Sequence, residues 1–249
     1  VGLKVNKANL IFNLLFSSSM IVSLTIVRYR KLFIPFALLA MAVHRVSMSL
    51  RKECSFWKLL GTGKNGHFSL KPDWQQWGLL AVWYSKAEFD EFYSHSFITS
   101  WWKFFGVEKW TILCEPLQSH GKWGGKEPFG SAVMTDHEGP IVVLTRANIK
   151  YSKFKQFWSS VGDVTNQLYQ AKGYIMSVAI GEVYSKPATF SIWQNMDDMK
   201  AFSYAGGEHA DVIKRARKEN WLSEELFTRF RPIESFGTIN GTDPLHGLI

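Results

Sequence analysis

One histidine in this chain stands in a pattern that suits chemistry. Met199, Phe202, Gly206, His209, Ile213 and Ala216 recur at alternating spacings of three and four, which places them on one stripe of a helix. Gly206 and Gly207 precede His209 within a turn, where a stable helix prefers Ala by about 1 kcal/mol per residue. Missing side chains there let a flat, bulky group approach the backbone. A neutral imidazole on an apolar face is a suitable axial ligand for haem iron, with a hydrogen-bond acceptor fixing its other nitrogen. The same pattern also fits a core histidine.

Haem carries two carboxylates, so a nearby cation is expected, and Arg28, Arg146 and Arg215 are the candidates. Arg146 ends the apolar run Val142-Val143-Leu144-Thr145 and is the hardest of the three to dismiss, although a charge late in a strand can simply reach solvent. The other histidines offer less. His67, His120 and His137 fall in loops, His246 in the tail, and His95 on a polar helix face with Glu88 and Glu91. His44, aligned with Ala37, Met41 and Met48 on an apolar helix, is the second choice as a ligand. No paired carboxylates, Walker loop, dinucleotide fingerprint or nucleophile elbow is present. Gly61-Thr62-Gly63-Lys64 lacks the ending and the following helix of a phosphate loop and reads as a turn. Aromatic residues make up 15% of the chain, enough to line a core or a polyene pocket equally well.

The elements that must carry these residues come as a repeat. Trp83 and Phe92 recur at one offset as Trp193 and Phe202, and Pro116-Leu117-Gln118-Ser119-His120-Gly121 echoes Pro232-Ile233-Glu234-Ser235-Phe236-Gly237. The first copy reads as strand Ile21–Tyr29, helix Leu32–Leu50, strands Phe56–Leu60 and Trp77–Tyr84, helix Lys86–Phe105 and strand Trp110–Glu115. The second reads as strand Ile141–Ile149, helix Lys153–Tyr169, strands Ile175–Val183 and Thr189–Trp193, helix Asp197–Lys218 and strand Leu226–Arg231. The order β-α-β-β-α-β, twice, is ferredoxin-like. Each unit covers one sheet face with helices and must bury the other, so the expectation is an α+β fold of tandem ferredoxin-like repeats forming a dimeric α/β barrel within one chain. The expected boundaries are an extension over 1–19, upstream of the natural start, a first repeat over 20–119, a linker over 120–139, a second repeat over 140–237 and a tail over 238–249.

Composition bounds the rest. The chain has 249 residues, is 46% hydrophobic and carries a formal charge of +8, ample for a core and basic enough for an acidic protein or an anionic membrane. No nucleic-acid motif accompanies that charge, and Lys214, Arg215, Arg217 and Lys218 read as a solvated helix face. Cys54 and Cys114 match no zinc or redox spacing and suit a reducing compartment, so a cytoplasmic protein is expected, with peripheral contact at the inner membrane surface left open. The apolar run Leu32–Val43 is interrupted by Pro35 and falls short of a bilayer span.

At several places the chain resembles the spheroidene monooxygenase family. The likeness runs from Met20 to Gly237 and rests on Phe56–Gly63, Leu144–Ile149, Gly181-Glu182-Val183, Thr189–Trp193, Gly207–Arg217 and Trp221–Phe230 in order. The resemblance implies haem bound through the histidine of a Gly-x-His motif, here His209, and oxygenation of an acyclic carotenoid with electrons from reduced ferredoxin. Two hydroxylations of one carbon would give a geminal diol that loses water to a ketone. It also points to Arg146 as the group steering oxygen or meeting a propionate, and to Trp57, Lys58 and Trp193 as pocket or supporting residues. The alternatives are a haem-dependent lyase or peroxidase-like enzyme, a haem- or polyene-binding protein without chemistry, and a cofactor-free monooxygenase. Homo-oligomerisation is compatible with each.

Overall fold

The computed structural model describes residues 20–64, 71–130, 137–182, 184–204 and 208–249, with the side chains of Asp163, Glu208 and His209 excepted. The expected extension 1–19, His67, Gly206 and Gly207 lie outside the described residues.

Eight strands close a barrel in the order β1-β3-β2-β6-β7-β5-β8-β4, every neighbouring pair antiparallel. They are β1 (Ile21–Tyr29), β2 (Cys54–Gly63), β3 (Pro72–Trp83), β4 (Gly106–Gly121), β5 (Ile141–Ile149), β6 (Tyr174–Gly181), β7 (Pro187–Trp193) and β8 (Leu222–Gly237). Seven helices are described: α1 (Ile34–Ser49), α2 (Lys86–His95), α3 (Phe97–Phe105), α4 (Phe154–Ser159), α5 (Val161–Tyr169), α6 (Met196–Tyr204) and α7 (Glu208–Lys218). Strands such as β1 are buried on both faces and therefore apolar without alternation. One face, with Val22, Leu24, Ile26, Val142, Leu144 and Phe190, fills the barrel, and the other meets the helices.

The two halves share a register. Trp83 faces Ile21 and Cys54, as Trp193 faces Ile141 and Tyr174. Trp83 packs on Phe92 at 4.7 Å between ring centroids, and Trp193 on Phe202 at 5.2 Å. Each indole donates to a serine on the helix-facing side of the sheet, Ser23 and Ser191.

Several boundaries differ from the sequence reading, each for a local reason. The helix expected over Lys86–Phe105 breaks at Ser96, whose extended backbone and side chain cap α3 by accepting from the Thr99 amide. The helix expected over Lys153–Tyr169 is a 3-10 turn followed by α4 and α5, divided at Ser160. Pro35 does not interrupt its apolar run. It sits in the first turn of α1, where its missing N–H has no intrahelical partner to lose. The helical segment Lys31–Ser49 thus has 19 residues and a mean hydropathy of 1.6, long and apolar enough by composition to cross a bilayer. Here it lies along β2 and β3, burying Ala37, Ala40, His44 and Met48.

The tail after Gly237 is a structural part of the barrel. Beyond Gly121 the chain turns through a Trp123–Lys126 bridge and inserts Trp123 and Phe129 into the interior; beyond Gly237 it turns through an Ile239–Thr242 bridge and inserts Ile239 and Leu245. Gly121 and Gly237 hold φ of +90° and +81°, and a Cβ at either would strike a carbonyl on the neighbouring strand, Glu225 or Lys109. Each turn is held by a carboxylate of the other half. Glu224 accepts from the Gly124 and Gly125 amides at 2.9 and 2.7 Å, and Glu108 accepts from Gly241 at 2.6 Å.

Candidate functional site

Barrel interior and helix layer are the two places where a site could lie. The interior is filled by the core and by the two inserted turns. The layer outside it differs sharply between the halves.

Over the first half, α1–α3 bury Ala37, Met48, Phe89, Phe92, Ile98 and Trp102 against Val27, Tyr29, Leu59, Leu79 and Trp83. Over the second half the corresponding cluster among the described residues buries Leu117, Ile141, Val143, Trp193 and Met199, with Tyr174, Phe202 and Phe227 partly buried against it. Among the described residues, α4 and α5 bury no side chain, and α7 buries Ala210. The strand register explains why. Across the first half one row of facing residues reads Thr111, Thr25, Leu79, Leu59, and its counterpart reads Phe227, Thr145, Thr189, Ala179. The next row changes from Leu113, Ser23, Ala81, Trp57 to Arg229, Val143, Ser191, Ser177. Small side chains replace two leucines and a tryptophan. Thr25 is 2% exposed, whereas Thr145, on a central strand beneath the helices, is exposed. The outer face of the second half is therefore less filled at its centre, a shallow bed at Thr145 bordered by Phe227, Val143 and Arg229, where the first half is a packed core.

The elements around this bed carry some of the residues singled out in the sequence. His209 lies in the first turn of α7, and its ring is not described. Trp193 flanks the same layer, between Phe202 and Tyr174. Trp57 instead belongs to the packed layer of the first half. Arg146 and Lys58 face the mouth of the barrel, on the opposite side of the sheet from α7. The Arg146 guanidinium binds the Glu224 carboxylate, lies 3.8 Å from Glu182 and sits over the Trp123 ring at 5.5 Å. Lys58 pairs with Glu182 at 3.0 Å, and the Trp123 indole donates to the same carboxylate at 2.7 Å. Burial opposes the Glu224 charge, but the Gly125 and Gly124 amides and Arg146 outweigh it and hold the carboxyl below its usual range. Burial likewise opposes the Glu182 charge and is overcome by Trp123 and Lys58. This cluster holds the inserted Trp123 turn in place; it does not face the bed.

The other cations named in the sequence are also accounted for. Arg28 joins Asp73 at 3.2 Å and Gln76 at 2.6 Å, and Arg215 lies over Trp221. The buried cation that the sequence reading overlooked is Arg229. It occupies the second row of the bed, 6% exposed, donating to Gln118 at 2.7 Å and to the Tyr204 hydroxyl of α6 at 3.3 Å. His44 is a core histidine: burial lowers its pKa to about 4, and the edges of Phe97, Trp101 and Trp102 surround a neutral ring. The layer around it is full. Cys54 and Cys114 are free buried thiols, and burial pushes Cys54 up to about 11. No cluster of three metal-ligating side chains occurs among the described residues.

The closed eight-stranded antiparallel barrel with helices outside it sets the class, an α+β barrel whose fold is shared with solved aldoxime dehydratases. One such enzyme, solved with butyraldoxime, superimposes with a TM-score of 0.60 at 12% identity over 93% of this chain and 87% of its own. A second aldoxime dehydratase gives 0.55 at 10% identity, over 93% of this chain and 89% of its own. In sequence, the chain is 31% identical to the spheroidene monooxygenase of Rhodobacter capsulatus over 215 residues, 85% of this chain and 89% of that protein. It is 34% identical to the protein of that name from Cereibacter sphaeroides, spanning 64% of its length, and 30% identical to that of Rubrivivax gelatinosus, spanning 72%. No protein-family model matches the chain. The chain belongs to the spheroidene monooxygenase family.

Proposed function

We propose that this protein is a haem-dependent monooxygenase that oxygenates an acyclic carotenoid, built from tandem ferredoxin-like repeats of which the second carries the cofactor. The observation that carries the reading is the contrast between the two helix layers: Thr145, Thr189, Ala179 and Ser177 are small where the first half has Thr25, Leu79, Leu59 and Trp57, and Thr145 is exposed where Thr25 is buried. The matching strand registers support the repeat, and the family relatives support the substrate class.

In this reading His209 is the iron ligand, with Gly206 and Gly207 allowing close approach beside it. Arg229, already buried in the layer, is the partner for a propionate, the role first sought in Arg146. Haem bound there would supply the redox-active iron that oxygen chemistry requires. Trp193 and Phe202 would close one flank against water, and Arg229, tethered through Tyr204, would keep α6 over the bed. The basic C-terminal turn of α7, Arg215 to Lys218, lies about 9 to 14 Å along the helix from His209 and suits an acidic donor such as reduced ferredoxin.

The test is reconstitution. Protein loaded with one equivalent of haem should show a Soret band and convert spheroidene to an oxygenated product only with both oxygen and reduced ferredoxin. Product formed from a peroxide without ferredoxin would move the reading to a peroxidase-like enzyme. Turnover by colourless protein would overturn the haem assignment.

A further inference from the structure

We propose that the outward face of α1, together with the exposed end of α3, is a docking surface for an anionic lipid bilayer. The argument starts from a helix that is apolar on two sides. Its inner stripe, Ala37, Ala40, His44 and Met48, is spent on the sheet. A second stripe at spacings of three and four faces outward: Leu32, Phe36, Leu39, Val43, Val46 and Leu50, of which Leu32 is 80% exposed, Val46 63% and Leu50 76%. Only 22% of this segment is buried, although its hydropathy is that of a membrane helix. A helix apolar all round belongs inside a large core or in contact with lipid, and among the described residues no core covers this one.

Neighbouring α3 extends the surface rather than covering it. Phe36 stacks on Phe105 at 4.6 Å, and beside that ring Phe104 is 77% exposed. Charge selects the occupant. Arg30, Lys31, Arg45 and Lys52 are exposed around the apolar stripe, and no Asp or Glu occurs from Arg30 to Lys52. Apolar side chains flanked by cations alone are the arrangement of a helix lying in a bilayer interface among anionic headgroups. A second copy docking here by two-fold symmetry would set the same cations against each other with no acid to offset them. The inference rests on this surface and not on the haem reading; if both hold, the surface brings the enzyme to a substrate dissolved in lipid.

Cosedimentation of the full chain with vesicles of phosphatidylcholine, with and without phosphatidylglycerol, tests it. Binding should be about tenfold or more stronger with phosphatidylglycerol present and should weaken as salt rises. The double variant Leu39→Glu/Val46→Glu, changed only at exposed positions, should lose at least about tenfold in binding while keeping the wild-type melting temperature. If that pair fails to fold, Arg30→Gln/Lys31→Gln/Arg45→Gln should remove the preference for the anionic vesicles. Equal binding by wild type and variants, or binding by none, overturns the proposal. So does a wild-type dimer that the glutamates convert to monomer, because the face would then join two copies of the chain.

Discussion

Haem added to protein carrying His209→Ala is expected to bind at least about a hundredfold more weakly than to wild type and to show no stoichiometric Soret band. The expectation follows from where His209 stands. It opens α7, which packs on α5 and α6 in the second half, where Thr189, Ala179 and Ser177 stand in place of Leu79, Leu59 and Trp57. Removing the imidazole leaves the bed but no ligand, so added imidazole should restore a band in His209→Gly. Thr145→Phe makes the complementary test, because it keeps the ligand and fills the exposed centre of the bed. It should lower haem binding without lowering the melting temperature, since the new ring buries apolar surface. An unchanged spectrum in His209→Ala removes His209 as the ligand, whatever the fate of the catalytic reading.

Arg146→Ala is expected to destabilise the protein by about 3 to 5 kcal/mol at neutral pH without abolishing haem binding. Its guanidinium is the cation shared by Glu224 and Glu182 in a mouth where its own side chain is 1% exposed. Without it the two carboxylates lose a common partner and the Trp123 ring loses the cation over its face. The pH dependence has a definite sign. Both carboxyls are held below their usual range in the folded protein, so their contribution is present above about pH 4.3, the ordinary carboxylate value, and is lost as pH falls through the depressed values. The gap between wild type and variant should therefore be widest near neutrality and close in acid. Chemical denaturation at neutral and acid pH measures it. A stable Arg146→Ala protein that no longer binds haem would return Arg146 to the site.

Much of this architecture was legible before any coordinates. The Trp83–Phe92 and Trp193–Phe202 pairs located both sheets and the helix packed on each, because a large aromatic contact tolerates few substitutions in place. The echo of Gly121 in Gly237 was also visible, yet the chain beyond it was read as a linker and a tail. There the repeat survives only as Trp123 matched by Ile239 and Phe129 by Leu245, residues sharing nothing but apolarity. Sidedness was the harder loss. Over Val142-Val143-Leu144 and Leu226-Phe227-Thr228 no residue is exposed, so these stretches show no alternation from which to say where Arg146 or Arg229 points. Register settles it, and register is a property of paired strands. The helix break at Ser96 was legible in principle, since serine before an apolar run is a capping signal that periodicity alone overrode, whereas Ser160 makes no side-chain cap and left no such signal.

The crossed carboxylates carry a consequence for how the molecule could be taken apart. Glu224 secures the turn at Gly124 and Gly125, and Glu108 secures the turn at Gly241, so neither half closes its own end of the barrel. Along β4 and β8 the halves also share a long seam, Trp110–Gly121 against Leu226–Gly237. A chain nicked between Gly130 and His137 would thus yield two fragments, each lacking what the other supplies, and the nicked halves would behave as a complementing pair. The connecting peptide then serves chiefly to raise the effective concentration of one fragment near the other.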